Sequence, residues 1–210
     1  MKYLCILLVV LCCASRAGAQ SLGFGAGLAL PNDEIAQLPD EVLKDGWRAI
    51  ESRAEQGYHI GVRARIGGKF GIIGGISFNR FLDAKSEYRD DDGRTITLIS
   101  SQSVVPLSAG FEYRFEDGFF SPYASLEGTM SYFYRGFESP HHSIGSPFSI
   151  ESTGEARFGA ALGAGISLDL TLLRFDVGTK LQFVNLFGDA STTEATMYFG
   201  QLGATAYFGL

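Results

Sequence analysis

Apolar residues alternate with small or polar ones along this chain in segments of roughly ten residues, a period of two that suits strands and no helix. From Ser21 to Leu30, the residues Leu22, Phe24, Ala26, Leu28 and Leu30 alternate with Ser21, Gly23, Gly25, Gly27 and Ala29. Tyr58 to Gly67 repeats the pattern, with Tyr58, Ile60, Val62, Ala64 and Ile66 on one face and His59, Gly61, Arg63, Arg65 and Gly67 on the other. The same reading predicts strands over 70–81, 95–115, 122–135, 156–168, 173–186 and 196–210. No apolar run after the N-terminal stretch has the length of a spanning helix, and residues 20–210 read as one domain.

Connection lengths carry a second pattern. Short turns are predicted at Gly67-Gly68-Lys69, Glu116-Asp117-Gly118 and Asp169-Leu170-Thr171, and longer polar segments over 31–56, 82–94 and 136–155. Tight turns at one end and long loops at the other are the habit of outer-membrane barrels, whose turns face the periplasm. A soluble barrel also alternates, but its outer face would be rich in Lys, Glu and Thr. Here the less apolar face offers Gly23, Gly25 and Gly27 in one strand and Gly159, Ala161, Gly163 and Gly165 in another, which suits a crowded interior. The other face carries aromatics near strand ends and aliphatics such as Ile60, Ile76, Leu126 and Leu162 between them, the layout of a lipid-facing band. In hydrocarbon every unpaired backbone group costs several kcal/mol, so an open sheet is excluded. The expected fold is therefore all-β: a single closed antiparallel up-and-down transmembrane barrel of about eight strands.

The N-terminus changes the picture of the mature chain. Met1-Lys2-Tyr3, an apolar run from Leu4 to Ala14 and a small-x-small site at Ala17 and Ala19 read as a secretory signal peptide over 1–19, cut between Ala19 and Gln20. Export through the Sec pathway to the outer membrane of a diderm bacterium follows as the expectation. All 3 cysteines, Cys5, Cys12 and Cys13, lie in that leader, so no disulfide is expected after cleavage. Charged residues make up 19% of the chain, below the roughly 25% of soluble domains, which again suits a lipid-facing wall. A net charge of -6 argues against nucleic acid as a partner.

With this pattern the chain resembles the small outer-membrane β-barrels of the OmpX and OmpA-barrel type. The last strand, from Tyr198 to Leu210 with Leu202, Phe208 and Leu210 in phase, looks like that family's C-terminal assembly signal, ending in Leu210 where an aromatic is usual. The resemblance implies the outer-membrane lipid and the barrel assembly machinery as partners, while the long loops, which hold most of the unpatterned sequence, point to a structural role in the membrane or to an unidentified extracellular ligand.

The phase of the alternation sends His59, Arg63, Arg65, Glu112, Arg114, Glu127, Arg157, Arg174, Asp176, Lys180 and Gln182 into the lumen. Charges in so narrow a barrel are expected to pair across it and form a packed polar core; an anion-selective pore or binding pocket is the functional alternative. Elsewhere chemistry is sparse. His142 and Ser143 adjoin but lack an acidic orienter, so a lipid A-modifying enzyme is a lesser reading, as is a narrow channel for small solutes. His141 and His142 are too few for a metal site, and no cofactor is expected. Asp90-Asp91-Asp92-Gly93 lacks the spacing of a calcium loop and reads as a turn. A short helix is expected over 39–52, with Val42, Leu43, Trp47 and Ile50 as its apolar stripe capping the barrel mouth. Arg80, in the outward phase, is expected to snorkel or to meet lipid phosphates.

Overall fold

The computed structural model describes residues 20–36, 48–51, 54–89, 91–93, 95–116, 118–138, 149–150, 154–170, 173–187 and 196–209. Eight long strands form the wall: β1 (Gln20–Pro31), β3 (Glu55–Gly67), β4 (Phe70–Leu82), β6 (Thr95–Arg114), β7 (Phe120–Glu138), β9 (Gly154–Asp169), β10 (Leu173–Phe183) and β11 (Tyr198–Gly209). Every neighbouring pair is antiparallel, in the order β6-β4-β3-β1-β11-β10-β9-β7, and pairing of β6 with β7 closes the ring. First strand meets last across the pairs Leu22↔Phe208, Ala26↔Ala204 and Leu30↔Gly200, so no edge of the barrel is left open. That closure satisfies the backbone in a solvent that offers no hydrogen bonds.

The two faces separate as the pleat requires. Phe24, Ile60, Ile72, Leu107, Leu126, Leu162, Val177 and Leu202 are exposed on the outer surface, each about half open, where a water-soluble fold would bury them. Aromatics gather toward the two ends of this band. Tyr58, Phe78, Tyr132, Tyr134, Phe158 and Tyr198 lie at one, and Phe70, Tyr113, Phe115 and Phe208 at the other. Phe70 stacks on Phe111 with ring centroids 5.4 Å apart, and Phe24 meets Phe208 edge-on at 6.5 Å. At the end holding Gln20 and Gly209, β3 turns into β4 through Gly67 and Gly68, and Gly67 has a φ of 115° that other residues rarely adopt. By the turn rule this end is periplasmic.

The wall is uneven in height. A tilted membrane strand needs about 9 to 11 residues. β6 has 20 and β7 has 19, so this pair projects well beyond the outer rim. Onto it the chain adds β5 (Ala84–Arg89), which pairs with Thr95 to Ser100, and β2 (Arg48–Glu51), which pairs with β5; β8 (Ser149–Ile150) adds to β7.

Three expectations are corrected here. The segment 82–94 is not all loop, because Ala84, Ser86 and Tyr88 alternate with Lys85, Glu87 and Arg89 as buried and exposed positions of β5. Its polar composition hides a period of two. The helix expected over 39–52 gives way to strand at Arg48–Glu51, since β5 offers a free ladder there; residues 39–47 lie outside the described residues. The strand expected to reach Leu186 ends at Phe183, and Val184 is buried, its N–H donating to the Met197 carbonyl at 2.9 Å. Asp91 and Asp92 do form a turn, with Gly93 at φ 81°.

Candidate functional site

The lumen is layered, and each layer follows from which residues fall on the inward phase at that height. Nearest the periplasm is an ion-pair network. Glu112, fully buried, accepts from Arg65 Nε at 2.7 Å and Arg114 Nε at 3.1 Å, and its second oxygen lies 3.5 Å from Arg63 Nη2. Arg63 also donates to Glu127 at 3.2 Å, and the other Glu127 oxygen takes Lys180 Nζ at 2.9 Å. Arg114 Nη2 stands 3.9 Å from Asp176, which accepts from Ser167. Arg65 further donates to the carbonyls of Gly67 and Gly68, tying the network to the periplasmic turn. These bonds brace three carboxylates among four cations, the arrangement in which a buried charge is tolerable.

Bulky polar groups lie against the wall only because the neighbouring strands are bare beside them. A Cβ at Gly165 or Gly178 would come within 2.7 or 2.5 Å of the Tyr123 hydroxyl, and one at Gly27 or Gly203 within 2.7 or 2.8 Å of His59 Nε2. Above the ion pairs lies a polar cavity of about 90 Å³, lined by His59, Arg63, Lys180, Asp176, Gln201 and Thr205 among others. Ser77 and Pro106 also line it, where the β4–β6 ladder lapses between Ile76↔Leu107 and Asn79↔Val104. Proline has no N–H to give that ladder. A belt of amides closes the cavity toward the outside. Gln201 donates to Asn79 at 2.5 Å, Asn79 donates to the Val104 carbonyl at 3.1 Å, and Gln182 donates to Ser131 at 3.2 Å.

At the outer mouth the interior turns apolar. Ala29, Phe81, Val104, Phe133, Val184, Met197 and Phe199 form one buried cluster, and Phe81 meets Phe199 edge-on at 5.6 Å. Ile35, from the 3-10 turn Asp33–Ala36, completes it from above. Asn32 holds that turn in place: its backbone N–H donates to the Tyr198 carbonyl at 3.0 Å, and its side chain bridges the Tyr198 amide and the Thr196 carbonyl.

Of the residues read into the lumen from the sequence, Arg63, Arg65, Glu112, Arg114, Glu127, Asp176 and Lys180 come together in the network. Arg174 stands apart near the periplasmic end, donating to Ser21 at 3.3 Å and stacking over the Tyr207 ring at 5.5 Å. Arg157 lies at the outer end and pairs with Glu155 of its own strand at 2.6 Å. His59 and Gln182 line the cavity. Arg80 neither reaches free into lipid nor stands alone, because Asp83 takes it at 2.8 Å and Ser103 at 3.4 Å. Ala19, His141, His142 and Ser143 lie outside the described residues. The apolar layer and the lumenal Tyr123 and Tyr207 escaped the sequence reading, although the inward phase of Phe81, Phe133 and Phe199 signals them.

A profile described as the outer membrane protein beta-barrel domain matches residues 4–208. No curated protein matches the chain. Among solved structures, Neisserial surface protein A is 11% identical with a TM-score of 0.51, covering 91% of this chain and 97% of its own. OprG from Pseudomonas aeruginosa is 12% identical with a TM-score of 0.48, covering 91% and 97%. Ail of Yersinia pestis, solved in complex with the heparin analogue sucrose octasulfate, is 15% identical with a TM-score of 0.45, covering 91% and 99%. The likeness to Neisserial surface protein A is one of fold.

Proposed function

Because the chain belongs to the outer membrane protein beta-barrel domain family, which places it in the outer membrane of a Gram-negative bacterium, we propose that it is a non-conducting integral barrel that presents its outer end to an extracellular partner. The observation that carries this reading is the double filling of the lumen, with ion pairs below and the Phe81–Phe133–Phe199 cluster above. Small barrels of this strand number have interiors just wide enough for their own side chains. The raised β5–β6–β7 sheet supplies the surface that a partner would meet, and it stands clear of the lipid. On the same reading the leader is removed after Ala19, and the C-terminal strand engages the assembly machinery.

Conductance tests the proposal. The purified full-length barrel in a planar bilayer is expected to pass no stepwise current, whereas a variant carrying Phe81→Ala, Phe133→Ala and Phe199→Ala, with the network intact, gains at most brief openings. Steady stepwise current through the unmodified protein would overturn the reading in favour of a solute channel.

A further inference from the structure

The charges enclosed in the lower lumen do not balance. Among the described residues Arg63, Arg65, Arg114 and Lys180 face Glu112, Glu127 and Asp176, four cations against three carboxylates. An unmatched charge in a narrow interior is expensive, and Arg63 and Lys180 both border the cavity. The cavity wall is skewed in the same sense. Among the described residues Arg63 and Lys180 line it against the single carboxylate of Asp176, with the His59 imidazole beside them, while Glu112 and Glu127 take no part in the lining. Two of its buried nitrogens, Arg63 Nε and His59 Nε2, have no hydrogen-bond partner among the described residues. Hydroxyls of Ser77, Ser108 and Thr205 and the amides of Gln182 and Gln201 add neutral donors around the same space.

We propose that the lumenal cavity is a binding site for one small monovalent anion of halide size, held between Lys180, Arg63 and His59. The volume of about 90 Å³ admits such an ion together with several waters, since a water needs only about 10 to 15 Å³. The ion neutralises the surplus charge and satisfies the donors that the protein leaves open. This role is separate from surface presentation and does not depend on a partner at the outer end.

The test uses the full-length barrel in detergent micelles, with chloride as the probe, read by the line broadening of the chloride NMR signal and by competition with bromide. Two substitutions move the enclosed charge in opposite directions. Lys180→Met leaves three cations against three carboxylates, with Glu127 still held by Arg63, and is expected to abolish the specific broadening. Glu127→Gln widens the surplus and is expected to tighten binding about tenfold, because one unit of opposing charge is removed from Lys180 and Arg63. Arg174→Met, outside the cavity, is expected to leave binding within about twofold. Mere damage to the barrel would lower binding in both network variants alike. Should Glu127→Gln fail to fold, crystals of the unmodified protein grown in bromide carry the test, with an anomalous peak beside Lys180 Nζ expected. Broadening no greater than that of empty micelles, retention of binding by Lys180→Met, or the absence of a lumenal bromide peak would overturn the proposal.

Discussion

At Gly27 the wall of β1 passes so close to β11 that an added Cβ would stand 2.1 Å from the Leu202 carbonyl oxygen and 2.7 Å from His59 Nε2. Gly74, on the lipid face of β4, has nothing nearer than the Ser108 carbonyl at 3.5 Å. The same substitution is therefore expected to have opposite signs. Gly27→Ala costs about 1 to 3 kcal/mol through overpacking. Gly74→Ala gains up to about 1 kcal/mol, because alanine loses less backbone entropy on folding. Urea unfolding of the barrel in lipid vesicles measures both. Glu112 gives a second prediction at this scale. It is fully buried and three arginines converge on it, so Glu112→Gln strands their charges and costs about 3 to 5 kcal/mol in the same assay. The phase of each of these residues, inward for Gly27 and Glu112 and outward for Gly74, was readable from a period of two. Their partners were not, because alternation fixes the face of a side chain and says nothing of which strand it meets across the lumen.

The elements divide into those held by closure and those added to a free edge. Each of the eight wall strands has neighbours on both sides and a lipid-facing row of aliphatics, so its position was legible in the sequence to within a few residues. β5 and β2 have neither advantage. β5 is charged at every second position and β2 is four residues long, so their strand state depends on the projecting ladder of β6, a long-range contact that local pattern does not encode. What anchors β5 is Tyr88, buried together with Ala84, Ser86 and Leu98 outside the membrane span, where burial pushes its hydroxyl pKa upward. Loss of a buried aromatic costs about 3 to 5 kcal/mol. Tyr88→Ala is accordingly expected to open the segment 82–94 to added protease while the barrel keeps its compact, heat-modifiable migration in detergent gels. Cleavage of that segment at the unmodified rate would show that β5 is held by something other than Tyr88.

For the molecule as a whole, one physical statement explains the rest: the solvent lies outside the wall as lipid, and the interior is packed with the protein's own polar and apolar groups. The composition pointed to the first half, since a glycine-rich inward face and bare aliphatic outward face make sense only in hydrocarbon. The apolar layer beneath the outer mouth was the harder half to see. Phe81, Phe133 and Phe199 each read locally as one more aromatic in an aromatic-rich strand, and only the register of β4, β7 and β11 brings their rings to one height.

Cysteine labelling along β9 tests this statement most directly, because every native cysteine lies within the first 13 residues. Single substitutions at Phe158, Leu162 and Ile166 are expected to react with a lipid-soluble maleimide and to resist a charged, water-soluble one. Substitutions at the neighbouring Ala161 and Ser167, which face the filled lumen, are expected to resist both until the barrel is unfolded. Rapid labelling of Leu162→Cys by the aqueous reagent, or of Ala161→Cys in the folded protein, would contradict the account.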